Sequence, residues 1–255
     1  MNPADHYFQL FGVHKNFGGL SAVRNLSFGV EPGKVTSLIG PNGAGKTTVF
    51  NLISGQLPLD QGEIIFKGKN ITAFPPHQIV GLGIARTFQD LRLFQKLTAL
   101  QNVLMGLQHR KGEKLLRALL GGRALTQEEK EDLQTAFDLL RLVELEPKSD
   151  ERVENLSYGE QKLLSLARIL ATDAELLMLD EPASGLPLGE VDRMLKLIQD
   201  LVKQGKTILV VEHNMEAVMG ISDRIIVLNF GEQIASGTPA EIQKNQEVIK
   251  VYLGI

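Results

Sequence analysis

The chain has 255 residues, 43% of them hydrophobic, which suits one globular domain of mixed architecture and argues against disorder. Its formal net charge of -3 carries no basic excess for DNA or RNA, so nucleic acid is not expected as a partner. It has no cysteine, which excludes disulfides, thiolate metal sites and cysteine nucleophiles and fits a reducing compartment. Residues 1–10 lack the basic and apolar regions of a signal peptide. No apolar run reaches the ~18 residues of a membrane span.

Residues 7–35 read as short strands. Phe8, Leu10 and Val13 are apolar, and Gly18-Gly19 and Pro32-Gly33 mark breaks. The apolar run 35–39 is a strand that ends in Gly40-Pro41-Asn42-Gly43-Ala44-Gly45-Lys46-Thr47, with a helix predicted from Gly45. These eight residues fit G-x-x-x-x-G-K-[ST] in full. Glycines let backbone N–H groups turn inward around a phosphate, and a helix N-terminus adds partial positive charge. Lys46 is expected to reach the β- and γ-phosphates, and the Thr47 hydroxyl to ligate Mg²⁺.

The middle, 92–165, is predicted helical. Leu133, Phe137, Leu139 and Leu140 recur at helical spacing, and Thr126 before Gln127-Glu128-Glu129 resembles a capped start. Segment 109–123 holds His109-Arg110-Lys111, Lys114 and Arg117. It reads as a solvated insertion, with a basic amphipathic helix near a membrane partner as the alternative. A helix over about 159–171 opens at Ser157, a side chain that also makes a plain N-cap.

The last third alternates strand and helix, which argues for a parallel sheet covered by helices. Strand 176–179 ends in Asp180-Glu181, acids placed to face a ligand crevice. Asp180 is expected to hold Mg²⁺ and Glu181 to polarise the attacking water. Helix 190–203 presents Val191, Met194, Leu195, Ile198, Leu201 and Val202 on one face, with Gly205 as its C-cap. Strands 207–211 and 225–228 follow.

Leu156-Ser157-Tyr158-Gly159-Glu160-Gln161-Lys162, just before the carboxylate strand, resembles the L-S-G-G-Q signature of ABC ATPases, and the resemblance covers essentially the whole chain. It implies an α/β P-loop NTPase fold with a mostly parallel RecA-like core sheet, an antiparallel β-subdomain and a helical subdomain. One domain, 1–255, would divide into a core (about 1–91 and 166–255) and a helical subdomain (about 92–165) that carries the signature. The resemblance implies catalytic Glu181, His213 and Lys46. It implies nucleotide contacts from Phe17, residues Gly40 through Thr48 (Thr48 included), Gln89, Ser157, Gly159 and Glu160, and metal contacts from Thr47, Gln89 and Asp180. Phe17 stands where the family stacks an aromatic on adenine, although a core aromatic is the alternative. His213 would be the switch histidine, although a lone His at a strand end is more often structural. One departure is Pro187, where the family carries Asp or Asn in a loop that contacts the opposite subunit.

The implied cofactors are ATP and Mg²⁺. The implied partners are transmembrane permease subunits, a second ATPase subunit, identical or related, and indirectly a solute-binding protein. The implied location is peripheral, on the cytoplasmic face of the inner membrane. Gly83-Ile84-Ala85-Arg86-Thr87-Phe88-Gln89 and Leu91-Arg92-Leu93-Phe94 further resemble the high-affinity Liv-type branched-chain amino-acid uptake ATPases. Amide, urea or export systems, and a soluble non-transport ABC ATPase, stand as alternatives.

Overall fold

The computed structural model describes residues 7–107 and 126–253. The basic segment 109–123 lies outside the described residues. Two sheets form the framework. A four-stranded antiparallel sheet has the order β2-β1-β4-β5, from β1 (Phe8–Phe17), β2 (Leu20–Val30), β4 (Gln61–Phe66) and β5 (Lys69–Asn70). A six-stranded sheet has the order β10-β9-β3-β8-β7-β6, from β3 (Val35–Ile39), β6 (Ile84–Arg86), β7 (Leu176–Asp180), β8 (Thr207–Val211), β9 (Arg224–Asn229) and β10 (Glu232–Gly237). Strands β9, β3, β8, β7 and β6 run parallel, and β10 closes one edge antiparallel to β9.

The N-terminal strands are longer than the short strands expected. Gly12, in the left-handed region at φ +51°, lies within β1 without ending it, and the pairing with β2 shifts register between Leu10 and Val13. Gly18-Gly19 makes the turn between β1 and β2, as expected.

Nine α-helices lie among the described residues: α1 (Lys46–Ile53), α2 (Pro76–Gly81), α3 (Ala99–Leu104), α4 (Gln127–Leu142), α5 (Tyr158–Leu170), α6 (Leu188–Lys203), α7 (Met215–Ile221), α8 (Pro239–Lys244) and α9 (Gln246–Leu253). Capping boxes open α3, α4 and α5 at Thr98, Thr126 and Ser157, where a short hydroxyl and a Gln or Glu three residues later satisfy each other's backbone amides. The C-cap of α6 is Gln204, one residue before the Gly205 expected; Gly205, at φ +89°, follows it and donates to the Val202 carbonyl, and Lys206 donates to that of Leu201. On α6 the buried face is Val191, Met194, Leu197, Ile198 and Leu201. Leu195 and Val202 sit at its partly covered margin, and Leu197 is the inward residue that the expected stripe missed.

Strands β3, β7 and β8 are buried along their whole length, as parallel strands covered on both faces must be. Their side chains alternate between two apolar cores. Leu177, Leu179, Ile208 and Val210 pack with α3–α6, whereas Leu176, Met178, Leu209 and Val211 pack with α1 and the antiparallel sheet. Phe50 of α1 is fully buried in the second core, with the Arg86 guanidinium 5.2 Å from its ring centre. Truncation by Phe50→Ala is expected to lower unfolding free energy by about 3–5 kcal/mol, read from the denaturant midpoint at constant slope.

Candidate nucleotide site

The site is assembled at the C-terminal ends of the parallel strands, where ligands bind in open α/β sheets. The phosphate loop leaves β3, Asp180 ends β7 with Glu181 just beyond it, and His213 follows β8. A cavity of about 490 Å³ is lined by Phe17, Asn42, Gly43, Ala44, Gly45, Lys46, Thr47, Thr48, Gln89, Glu181 and His213. Eleven expected residues from five separate stretches of chain thus meet in one place.

The loop is held close by its glycines. Gly40 has φ +150°, and an added Cβ would come within 2.1 Å of the Leu228 carbonyl. Gly45 has φ +101°, and a Cβ there would come within 2.4 Å of the Ala22 carbonyl. No side chain caps α1, so the amides at its N-terminus remain available to an anion. Lys46 is buried, and its ammonium donates to the carbonyls of Gly40 at 2.7 Å and Pro41 at 2.9 Å. Burial pulls its pKa below the usual range for lysine, and the charges of Glu181 and Asp180 work against that pull.

Glu181 reaches the cavity from a left-handed backbone, φ +49°. His213 Nε2 lies 2.7 Å from its Oε1, and Gln89 Nε2 donates to its Oε2 at 3.3 Å. Asp180 sits deeper. Its Oδ2 accepts from Arg86 at 2.6 Å in a pair whose side chains are both 5% exposed. Arg86 also donates to Asn51 Oδ1 at 2.6 Å, and its guanidinium lies 5.2 Å from the ring centre of Phe50 and 5.1 Å from that of Phe88. Burial depresses the Arg86 pKa, and Asp180 raises it.

Ser157, Gly159 and Glu160 do not line the cavity. Within the single chain Ser157 is the N-cap of α5, and Glu160 returns the second bond of the capping box while accepting from Lys148 at 2.6 Å. A Cβ at Gly159 would fall 2.0 Å from a carboxylate oxygen of Glu190, the end of an exposed side chain that is free to swing aside. Pro187 is the N-cap of α6, and its carbonyl accepts from Glu190 and Val191. Its missing N–H costs α6 nothing at that position.

Five further lining residues were not anticipated: Leu20, Ser21, Ala22, Arg24 and Phe230. Phe230 is an exposed aromatic at φ +46° in the β9–β10 turn, unusual on both counts. The adjoining Gly231 ties this turn to the loop, donating to the Ala44 carbonyl at 3.1 Å and accepting from Arg24 at 2.8 Å. An exposed aromatic after Asn229 was the available signal.

Asp180, Thr47 and Gln89 offer only hard oxygen donors, which suit Mg²⁺. Among the described residues no cluster of three or more His, Cys, Asp or Glu could hold a metal unaided. A cation here would need oxygens from phosphates, the usual way Mg²⁺ is held. No helix among the described residues is long and apolar enough to cross a membrane.

Residues 23–184 match the ABC transporter family, and residues 232–255 match the family described as branched-chain amino acid ATP-binding cassette transporter. The high-affinity branched-chain amino acid transport ATP-binding protein LivG of Salmonella typhimurium is 42% identical over 95% of this chain and 96% of its own length. A nucleotide-free ATP-binding cassette from an ABC transporter superposes with a TM-score of 0.85 at 31% identity, covering 98% of this chain and 99% of that one. A dimeric ATP-binding cassette bound to ADP and Pi superposes with a TM-score of 0.76 at 25% identity, covering 91% of this chain and 98% of that one. With the phosphate loop, the carboxylate strand and the fold in agreement, this chain belongs to the ABC transporter family as one of its ATP-binding, ATP-hydrolysing subunits.

Proposed function

We propose that this chain hydrolyses Mg-ATP in the cavity between the phosphate loop and Glu181, and so powers a membrane importer for branched-chain or other neutral amino acids. The observation that carries the reading is the convergence of Lys46, Gln89, Glu181 and His213 on one cavity, with Glu181 and His213 2.7 Å apart. The choice of solute rests on the likeness to LivG and on the C-terminal match.

In this proposal residues 1–91 and 166–255 form the nucleotide-binding core, and 92–165 form the helical subdomain. Residues Gly40 to Thr48 cradle the phosphates with backbone amides, and Lys46 exchanges its two carbonyl partners for phosphate oxygens. Thr47, Asp180 and Gln89 would hold Mg²⁺, which when bound neutralises developing phosphate charge. Glu181 orients a water and takes its proton on the carboxylate. His213, with Nε2 protonated, donates to Glu181 and holds its orientation. Phe17 and Phe230 provide apolar walls for the base.

A second ATPase subunit, identical or related, would bring its Ser157 helix start to the γ-phosphate, as the signature resemblance implies. A nucleotide shared in this way closes the pair when bound and releases it after hydrolysis. ABC ATP-binding subunits of transporters dimerise and work with permeases, and a dimeric cassette is among the solved structures similar to this chain. A transmembrane permease docked beside Gln89 and the helical middle, on the cytoplasmic face, is the proposed load. A solute-binding protein would act through the permease.

ATPase rate per chain against protein concentration tests the composite site. A rate that rises with concentration supports two copies, whereas a rate independent of concentration contradicts them. Glu181→Gln is expected to retain Mg-ATP binding and lose about 10²–10⁴-fold in turnover, and full turnover would remove Glu181 from the role of base. Lys46→Ala is expected to weaken ATP binding by roughly 10- to 100-fold in titration calorimetry, with unchanged affinity counting against the loop assignment. Phe230→Ala should weaken ATP binding by about 5- to 100-fold while leaving inorganic triphosphate binding alone. Equal losses for both ligands would remove Phe230 from the base subsite.

A further inference from the structure

The turn that follows Glu181 is gripped from two sides by buried ionisable groups. On one side stands Lys162 of α5, only 6% exposed. Its ammonium donates to the carbonyls of Glu181 at 2.6 Å, Pro182 at 3.2 Å and Ser184 at 2.5 Å. An ammonium has three protons, so every donor of this side chain is committed to one turn of backbone. On the other side Glu212, the residue after β8, accepts from the Ala183 amide at 2.6 Å and from the His213 amide at 3.2 Å. Burial lowers the Lys162 pKa, and the Glu212 and Glu181 charges oppose that shift.

The grip meets a local need. Glu181 sits at φ +49°, a conformation costing an L-residue roughly 1–2 kcal/mol. The neighbouring contacts follow the same line. Gly185, at φ +75°, faces the Tyr158 ring, which an added Cβ would approach to 3.2 Å. The Lys162 ammonium lies 5.2 Å from that ring's centre. The first turns of α5 and residues 181–185 are therefore bonded and packed as one block. A cavity of only about 20 Å³ lies beside Lys162, Asp180, Glu181 and Pro182, which leaves the block little room to shift.

We propose that Lys162 is a positioning residue that fixes the backbone of Glu181 and ties it rigidly to the helix start at Ser157 of the same chain. This rests on the assignment of Glu181 as the base. In a composite dimer, the Ser157 helix faces the nucleotide held by the other subunit, while Glu181 faces its own. Lys162 then transmits a displacement caused at one nucleotide to the base that serves the other. Pro187, in place of the family's Asp or Asn, removes a side chain from the loop that contacts the opposite subunit. An intramolecular strut supplies coupling that does not depend on that position.

The test combines amide exchange with turnover in the full chain. Lys162→Met keeps the stem and removes all three donors. Its expected effect is exchange at Ala183, Ser184 and Leu186 that is faster by about tenfold or more, with the amides of residues 41–48 unchanged. Turnover at saturating Mg-ATP should fall by about ten- to hundredfold while KM stays within about twofold. Lys162→Arg should restore both readouts in large part. The proposal is overturned if Lys162→Met leaves exchange in the turn unchanged, or if it loosens the phosphate loop and raises KM to the same degree, as general destabilisation would. Should Lys162→Met fail to fold, Lys162→Gln, which keeps a donor, is held to the same criteria. Exchange needs no turnover, so it decides for an inactive preparation as well. Combined with Glu181→Gln, Lys162→Met should cause no further loss of hydrolysis, and an additive loss would show that Lys162 acts elsewhere. Full turnover by Glu181→Gln alone would instead refute the base assignment and leave the exchange result standing.

Discussion

The site depends on one buried ion pair, Arg86 to Asp180 at 2.6 Å. It bridges the C-terminal ends of β6 and β7, adjacent parallel strands, at the level where the chemistry is laid out. The Thr87 hydroxyl, next along the chain, accepts from the Asp180 amide at 3.0 Å and continues the link. Desolvating two charges is costly, and the net gain of such a pair is small, yet removing one partner strands the other at a cost of about 3–5 kcal/mol. The pair is therefore better understood as a constraint on place than as a source of stability. It sets Asp180 at a fixed depth, fixes the start of the Gln89 loop, and through Asn51 and Phe50 registers both against the helix that carries Lys46.

Around that constraint, charge is used sparingly and always with partners. Lys46, Lys162, Arg86 and Asp180 are buried, and each is bound to backbone or to an opposite charge. Glu212 is buried too, and burial pushes its carboxyl pKa up while the amides of Ala183 and His213 hold it down. Such groups are costly in an apolar interior, and they gather here because catalysis by positioning needs dipoles already aimed before the substrate arrives.

Much of this was legible in the chain itself, for physical reasons. The phosphate loop is eight consecutive residues whose function depends on local backbone freedom, so its chemistry and its spacing coincide. Asp180 and Glu181 were readable only in company, because an acid pair ending a buried strand can equally be solvated and the phosphate loop upstream is what gave it a use. Arg86, Phe230, Lys162 and Glu212 were within view but carried no assigned role. Their partners lie far along the chain: Arg86 meets Asp180 across 94 positions, and Glu212 meets Ala183 across 29. Only the parallel ordering of β6, β7 and β8 brings those pairs together. The N-terminal breaks were also legible, since Gly18-Gly19 and Pro32-Gly33 fall between strands, whereas the irregular pairing of β1 inside those bounds depends on its neighbours and was not. The separation of Ser157 from the cavity also follows from the fold, since its hydroxyl is spent within the chain as the N-cap of α5, away from the cavity lining.

The alternation of β7 and β8 between two apolar cores has a mechanical consequence. Leu177 and Leu179 press on one body of side chains, Leu176 and Met178 on another, and the sheet stands between them as a stiff partition. Packed interiors resist compression, so such a plate does not flex readily across its face. Compliance is left to the turns along its C-terminal rim, where residues 40–45, 181–185 and 212–214 lie. The phosphate loop, Glu181 and His213 all lie on that rim, so the cavity they line sits where the sheet is most free to yield.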